Sequence, residues 1–333
     1  MKKVLSLILA LAMVFALAAC GEKQPSNDGN TDGGKPTRGN VIMTFGTADT
    51  GGSMYPAGAA VSQVWTNNVQ GVKCNTQTST GSFQNCQDVA SGEVDVAVAT
   101  SDVVLNAYNG TGKFADIGTL DNLRVIGAVY TSVLSGVALK SSGLTYIHDL
   151  LGKRVAVGPA ASATENATLA AFAVMGITKD NTSLENLGLG DGADSVGDGI
   201  LDAAFGFAGL PIGGQLNLAA TKEIQVLDMT QEELDKVLEG NAAYIQTTIP
   251  AGTYTGQTET ANTFGVKCLI IVTADMDADL VYDLCKAMNE HTEEMAAGNA
   301  LLKDMTDPSF LCTQMPIPLH DGAQKYYSEQ GLI

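Results

Sequence analysis

The regular alternation of short apolar segments with helix-like patterns is the feature that most constrains the fold of this chain. Residues 41–45 form an apolar run that ends at Gly46, and residues 54–69 then carry apolar side chains at helical spacing. The same succession of strand, turn and helix recurs over residues 72–90, 94–107 and 154–175. Such alternation predicts mostly parallel sheets that are covered by helices on both faces and joined by right-handed crossovers. We therefore predict an α/β protein.

The repeating units fall into two sets, which indicates two lobes. The length of 333 residues fits about two domains. Between the sets, residues 123–139 are expected to form two long extended segments, and residues 264–273 a late strand. The helices after that strand have no sheet of their own, so we expect them to cover the first lobe. The prediction is two sheets, with lobe I over residues 40–134 and 256–333, lobe II over residues 135–255, and two crossings of the chain between them.

The N-terminal segment has the pattern of an export signal. Lys2 and Lys3 precede an apolar run over residues 4–19, which ends in small residues directly before Cys20. A cysteine at this place resembles the lipobox of bacterial lipoproteins, in which the thiol is acylated, for example with palmitate, and becomes the new N-terminus. We therefore predict a signal peptide over residues 1–19 and a lipid anchor at Cys20. An ordinary signal peptide and an uncleaved anchor are the alternatives, although the apolar run is short for a membrane span.

The segment after the predicted anchor has no apolar side chains. Residues 21–39 are dominated by Gly, Pro, Asn, Asp, Ser and Thr, and such a composition cannot bury enough surface to order a chain. We expect residues 20–39 to tether the folded body to the outer face of a bacterial cytoplasmic membrane.

Charge and cysteine content narrow the classes of protein further. The chain has 18 Lys and Arg against 36 Asp and Glu, a net charge of −18, which excludes a nucleic-acid binder because such proteins need basic patches. Besides Cys20 there are five cysteines, an odd number without the CxxC spacing of a metal site. Buried free thiols and one or two disulfides both remain open for Cys74, Cys86, Cys268, Cys285 and Cys312.

Four predicted junctions between a strand and a helix share a composition rich in Gly, Ser and Thr. They lie at residues 46–53, 79–82, 100–101 and 158–165. In open α/β sheets, ligands bind beyond the carboxyl ends of the strands, where helix N-termini present unpaired N–H groups. Helix capping explains any one junction alone, and Ser162 with Glu165 has the spacing of a capping box. The four together indicate a cleft that binds an anionic group through N–H and hydroxyl donors.

Motifs for nucleotide binding are incomplete. Residues 46–53 have the spacing of a phosphate-binding loop, but Gly52 stands where that loop needs a lysine. The Gly110-x-Gly112 and Gly188-x-Gly190 pairs do not open a convincing helix after a strand. We therefore predict no nucleotide cofactor.

Motifs for catalysis and metal binding are also incomplete. HExxH and GxSxG are absent, and the three histidines, His148, His291 and His320, lie far apart in the chain. Asp275, Asp277 and Asp279 resemble the start of a calcium loop, but the turn glycine and the closing glutamate are missing. We predict a non-catalytic protein without a metal site.

Several motifs occur in a fixed order from residue 43 to the C-terminus. They are residues 51–56 (GGSMYP), 102–103 with 107–112, 149–155, 249–254, and 316–320 with Tyr326 and Tyr327. In these motifs the chain resembles the TAXI-type solute receptors of tripartite ATP-independent periplasmic (TRAP) transporters. The resemblance implies a two-lobed, type II periplasmic-binding-protein fold whose lobes close on a small organic acid or amino acid, such as glutamate. It also implies membrane permease subunits as partners and no cofactor.

The resemblance also implies a set of ligand-binding residues. From lobe I it points to Gly51, Gly52, Ser53, Tyr55, Thr80, Gly81, Ser82 and Ser101. From lobe II it points to Ser162, Ala163, Thr164 and Phe207. His320 and the tyrosine pair are expected to fix the C-terminal segment. The chain departs from the family at Met54, where an aromatic residue is usual, and at Ala161 and Ala163, where glycines are usual.

Together these observations predict an extracytoplasmic receptor that captures a small carboxylate, such as glutamate, glutamine, a dicarboxylate or an oxo acid, by closure of two lobes. The alternative is a sensory lipoprotein of the same fold that signals to a membrane kinase. The hypothesis that the protein is an enzyme is less favoured than either of these two.

Overall fold

A single mixed β-sheet forms the centre of the computed structural model, which describes residues 39–50 and 52–333. Its ten strands are β1 (Val41–Gly46), β2 (Val72–Gln77), β3 (Val96–Thr100), β4 (Leu123–Leu139), β5 (Arg154–Ala156), β6 (Ser183–Glu185), β7 (Ala203–Ala208), β8 (Ile224–Val226), β9 (Ile245–Ile249) and β10 (Ala261–Thr273). The main strand order is β2-β1-β3-β10-β4-β7-β5-β6, with β8 paired to β4 and β9 to β10. The predicted signal peptide, Cys20 and most of the predicted tether lie outside the described residues.

The two outer parts of the sheet are parallel, and its middle is antiparallel. β1 pairs in parallel with β2 and β3, and β5 pairs in parallel with β6 and β7. β10 runs antiparallel to both β3 and β4, and β4 runs antiparallel to β7. We call the part with β1, β2 and β3 the β1 side, and the part with β5, β6 and β7 the β5 side.

Two sequence-based expectations about the sheet were wrong. Residues 123–139 form one strand rather than two segments. Because the first part of this strand pairs with β10 and its last part with β7 and β8, it joins the two expected sheets into one. The described residues fall in one compact unit, Arg38–Ile333, so the division into lobe I and lobe II stays a prediction.

Eleven α-helices of the described chain flank the sheet. They are α1 (Met54–Asn68), α2 (Ser82–Ser91), α3 (Ser101–Asn109), α4 (Ala163–Val174), α5 (Leu189–Gly197), α6 (Gly213–Thr221), α7 (Gln231–Gly240), α8 (Ala278–Glu290), α9 (Thr292–Gly298), α10 (Pro308–Cys312) and α11 (Asp321–Glu329). None of these described helices is long and apolar enough to cross a bilayer.

The C-terminal helices return to the β1 side, as predicted. Trp65 of α1 stacks on Phe45 of β1 and donates a hydrogen bond to the carbonyl of Leu284 in α8. The Tyr327 hydroxyl of α11 donates to the carbonyl of Ile126 in β4. One buried apolar cluster therefore contains β1, α1, α8 and α11.

The described cysteines are all free and buried, at positions 74, 86, 268, 285 and 312. Burial raises the pKa of the Cys74 thiol to about 11 and that of Cys268 to about 12. These residues therefore act as small apolar side chains of the core.

Candidate functional site

A cavity lies where four helices begin, and it is lined from both sides of the sheet. The chain leaves β1, β2, β5 and β6 at their carboxyl ends and enters α1, α2, α4 and α5. The residues that precede these helices are Ser53, Gly81, Ser162 and Gly188. All four line one cavity of about 120 Å³. Because each helix N-terminus presents unpaired N–H groups and a partial positive charge, the cavity is suited to an anionic group.

Nine of the twelve predicted ligand-binding residues line this cavity. They are Gly52, Ser53, Thr80, Gly81, Ser82, Ser162, Ala163, Thr164 and Phe207. Gly51 lies outside the described residues. Tyr55 and Ser101 do not belong to the described lining, although sequence reasoning placed them there.

The two exceptions have different physical causes. Tyr55 follows Met54, which lines the cavity, and successive side chains of a helix point about 100° apart. The third junction is closed by the protein itself, because the Ser82 hydroxyl accepts a hydrogen bond from the Thr100 backbone at 3.1 Å. The N-terminus of α3 also holds the carboxylate of Asp102, which is fully buried. Ser101 is therefore separated from the cavity by Ser82 and does not line it.

The hydroxyl groups of the lining are already hydrogen-bonded within the protein. Ser162 donates to the carbonyl of Pro159 and accepts from the Glu165 backbone, which is the predicted helix cap. Thr80 donates to the side chain of Gln84. These two hydroxyls have therefore used their single hydrogen atoms.

Ser82 and Thr164 differ from Ser53, Thr80 and Ser162 because each only accepts hydrogen bonds within the described residues. The Ser82 hydroxyl accepts from Thr100, and the Thr164 hydroxyl accepts from the Phe207 backbone at 3.1 Å. Each can still donate its hydrogen atom to a ligand. Since Ser82 begins α2 and Thr164 lies in the first turn of α4, one donor comes from each side of the sheet.

Several lining residues were missed by the sequence analysis. They are Ala48, Asp49, Met54, Tyr130, Pro159, Gly188, Leu189, Gly190 and Ala208. The Gly188-x-Gly190 pair was expected not to open a helix after a strand, but it follows β6 and begins α5. No apolar run marks this junction, because Glu185 and Asn186 separate Leu184 from Leu187. Tyr130 lies in the middle of β4, and no local pattern marks it.

Few charged groups surround the cavity. The described lining contains no Lys, Arg or His, and its one charged residue is Asp49. Burial raises the pKa of the Tyr130 hydroxyl well above its ordinary value, so this group stays neutral. Burial also raises the pKa of Asp102, although the hydrogen bond from Asn166 opposes the shift. Binding of an anion in this cavity would therefore depend on N–H and O–H donors.

Three polar contacts join the two sides of the sheet next to the cavity. The Ser53 hydroxyl accepts from the Gly209 backbone at 3.1 Å. The amide of Asn166 in α4 donates to Asp102 at 3.1 Å. Lys113 forms an ion pair with Glu165 at 2.6 Å. These contacts hold α1, α3 and the residues after it against the β5 side.

The remaining motifs have structural roles. His320 caps α11 by accepting from the Gly322 backbone, and Tyr326 accepts from the amide of Asn289, so they fix the C-terminal segment as predicted. Asp277 caps α8 rather than beginning a calcium loop. The described residues contain no group of three or more His, Cys, Asp or Glu that could hold a metal ion.

Solved structures similar to this chain share its architecture at low sequence identity. A protein of Bordetella bronchiseptica RB50 has a TM-score of 0.51 and 12% identity, over 87% of this chain and 98% of that one. The alkanesulfonate-binding protein of Xanthomonas axonopodis pv. citri, bound to MOPS, has a TM-score of 0.49 and 14% identity, over 87% and 84%. An amino acid ABC transporter substrate-binding protein of Streptococcus pneumoniae, bound to L-arginine, has a TM-score of 0.46 and 14% identity, over 80% and 94%.

The sheet order and the helix layers confirm the predicted α/β fold. The sequence model of the NMT1-like family matches residues 45–331, which are nearly all of the described chain. This range includes every described residue that lines the cavity. The chain therefore belongs to the NMT1-like family.

Proposed function

We propose that this protein is an extracytoplasmic receptor that captures a small carboxylate-bearing solute in the cavity between the β1 side and the β5 side. The observation that carries the proposal is the convergence of four helix N-termini, two from each side, on one cavity. A ligand held by both sides stabilises the closed arrangement, because it gains contacts there that an open arrangement cannot offer.

The donors available in the cavity support a carboxylate as the bound group. Ser82 and Thr164 can each donate one hydroxyl hydrogen, and the first turns of the helices add backbone N–H groups. A carboxylate has two oxygen atoms that accept such hydrogen bonds. The apolar side chains of Met54, Leu189 and Phe207 also line the cavity and suit the carbon skeleton of a small organic acid.

The sequence motifs support a proposal for the transporter class and for the membrane anchor of the receptor. We place the receptor in the TAXI group of TRAP transporters, with membrane permease subunits as partners that receive the solute. The export pattern of residues 1–19 and the lipobox-like Cys20 support a lipid anchor at the outer face of the bacterial cytoplasmic membrane. Labelling of cells with a fatty-acid analogue should acylate the natural chain and leave a Cys20→Ala variant unlabelled.

Isothermal titration calorimetry tests the proposed function directly. Ligand-free, refolded protein is titrated with glutamate, glutamine and acids of four or five carbon atoms. We expect heat of binding with at least one acid, and an increase in unfolding free energy of about 2.7 kcal/mol at one hundred times the dissociation constant. Absence of binding by every acid in the panel would contradict the proposal.

Removal of one hydroxyl donor gives a matched test of the site. Thr164→Val keeps the shape of the side chain but removes its hydroxyl, which also accepts from the Phe207 backbone. We expect affinity to fall about tenfold to a hundredfold, because one hydrogen bond to a charged group is lost. Ser328→Ala, on the outer helix α11, is the control and should bind as the natural chain does. Equal affinity of Thr164→Val and the natural chain would show that the ligand lies elsewhere.

A further inference from the structure

Gly209 is a glycine that its own backbone conformation does not explain. It directly follows β7, is buried, and does not have the positive φ found at Gly81 and Gly158. An alanine can therefore adopt the same backbone conformation. Because no left-handed conformation requires glycine here, the constraint at this position is the space around its Cα atom.

The space beside Gly209 is filled from the β1 side. A Cβ atom at Gly209 would overlap Cδ1 of Leu301, and it would lie 3.2 Å from Cγ of Leu301 and 3.3 Å from Cδ2 of Tyr130. Leu301 belongs to the 3₁₀ helix Ala300–Thr306 and packs against the buried cluster that contains β1 and α1. Tyr130 is almost completely buried in β4. Since the core holds both neighbours, the close approach of the two sides leaves no room for a side chain at residue 209.

The backbone of Gly209 is also bound to the β1 side through Ser53. The Ser53 hydroxyl accepts from the Gly209 N–H at 3.1 Å and donates to the Gly209 carbonyl at 3.4 Å. The single hydrogen atom of this hydroxyl is therefore used within the protein. The two residues join the end of β7 to the start of α1, beside the cavity that Ser53 lines. This contact between the two sides needs no ligand atom.

We propose that Gly209 is the point on which the two sides meet when the cavity closes, and that Ser53 is a positioning residue for closure through Gly209 rather than a donor to the ligand. This inference deepens the proposed function and rests on it. A side chain at residue 209 holds the two sides apart, so it weakens binding without touching the ligand.

Alanine at residue 209 tests the inference with the smallest added side chain. Calorimetry with glutamate, glutamine and glutarate on the full, refolded chain should show affinity about tenfold lower in Gly209→Ala, because overpacking lowers the population of the closed arrangement. The radius of gyration in small-angle X-ray scattering should exceed that of the natural chain, both without ligand and with saturating acid. The matched control is Gly240→Ala at the end of α7, where φ is not positive and an added Cβ meets no atom within 4 Å. It should change neither quantity.

A second substitution tests whether the effect comes from the contact between Gly209 and Leu301. Leu301→Ala removes both atoms of Leu301 that the added Cβ would meet. The double variant Gly209→Ala/Leu301→Ala should therefore match Leu301→Ala alone in affinity and in radius of gyration. A loss of affinity that persists in this comparison would overturn the role of the contact.

The outcomes separate this inference from the proposed function. Equal affinity, or an equal ligand-free radius, in Gly209→Ala and the natural chain would overturn the inference and leave the proposed function intact. Absence of acid binding by the natural chain would overturn the proposed function, whereas a larger ligand-free radius in Gly209→Ala would still support Gly209 as the point of closure.

Discussion

Ala161 lies in the left-handed region of backbone conformation, with φ at 60°. Its position is fixed, because its N–H donates to the Glu165 carboxylate and the next residue caps α4. A side chain with a Cβ atom is strained in this conformation, whereas glycine is not. Glycine, which the resemblance implies at this position, would relieve the strain.

Replacement of Ala161 by glycine should therefore stabilise the protein. Relief of the left-handed strain is worth roughly 1 to 2 kcal/mol, and the greater freedom of glycine in the unfolded chain offsets about half of it. We expect the unfolding free energy to rise by roughly 0.5 to 1 kcal/mol in urea denaturation. Ala160→Gly, at the neighbouring exposed residue without a positive φ, should lower it. A loss of stability in Ala161→Gly would contradict the assigned conformation.

Asp102 is a buried carboxyl group at the N-terminus of α3. One of its oxygen atoms accepts from Asn166 at 3.1 Å and from the Tyr244 hydroxyl at 3.4 Å. Its other oxygen has no hydrogen-bond partner among the described residues. Burial raises the pKa of Asp102 above its ordinary value, so folding favours the protonated form.

The raised pKa of Asp102 predicts a specific dependence of stability on pH. The stabilising contribution of the protonated group is complete below the unfolded pKa of about 3.9 and is lost as the pH rises through the folded value. Asp102→Asn cannot ionise, so its unfolding free energy should increase relative to the natural chain by up to about 1.4 kcal/mol per pH unit over that window. The unfolding free energies of Asp102→Asn and of the natural chain are measured by urea denaturation from pH 4 upward. If the difference between them does not change with pH, the prediction is wrong.

At the scale of elements, the segment after α3 connects the two sides of the sheet through one ion pair. Lys113 belongs to a short 3₁₀ helix, Gly112–Phe114, and Glu165 lies in the first turn of α4. Burial alone would raise the pKa of Glu165, but hydrogen bonds from Lys113, Asn186 and Ala161 outweigh it and lower the pKa. The carboxylate therefore remains charged and holds α4 near α3.

Loss of this ion pair should favour an open arrangement. Lys113 is 40% exposed, so the pair contributes less than about 1 kcal/mol. In Lys113→Met we expect ligand affinity to fall about twofold to fivefold, and the ligand-free radius of gyration in small-angle X-ray scattering to increase. Lys73→Met, on the exposed edge of β2, is the control and should change neither quantity. An unchanged radius together with unchanged affinity in Lys113→Met would show that the pair does not control closure.

Local patterns predicted the elements well because each strand and helix carries its own periodicity. The Gly-, Ser- and Thr-rich junctions predicted most of the cavity, since helix N-termini at one sheet edge must lie near each other. The patterns did not predict which strands pair, because the register between β4 and β10 depends on contacts distant in sequence. They also could not exclude Ser101, whose junction is filled by Asp102 only after folding.

At the scale of the whole molecule, the two sides share one buried apolar cluster as well as one sheet. β10 pairs with β3 of the β1 side, β4 pairs with β7 of the β5 side, and the two strands pair with each other. A single buried apolar cluster contains Val104 of α3, Phe172 of α4 and Phe205 of β7. Neither side can lose its fold without exposing apolar surface of the other.

The shared core predicts a single cooperative unfolding transition, although chains with two domains often unfold in steps. The chain has one tryptophan, and Trp65 lies fully buried on the β1 side. Its fluorescence therefore reports the β1 side alone, whereas far-ultraviolet circular dichroism reports helices on both sides. We expect the two signals to change over the same range of urea concentration. A bound ligand should raise the midpoints of both transitions by the same amount. A dichroism change that precedes the Trp65 transition would mean that the β5 side unfolds independently, and closure would then involve two separately stable lobes.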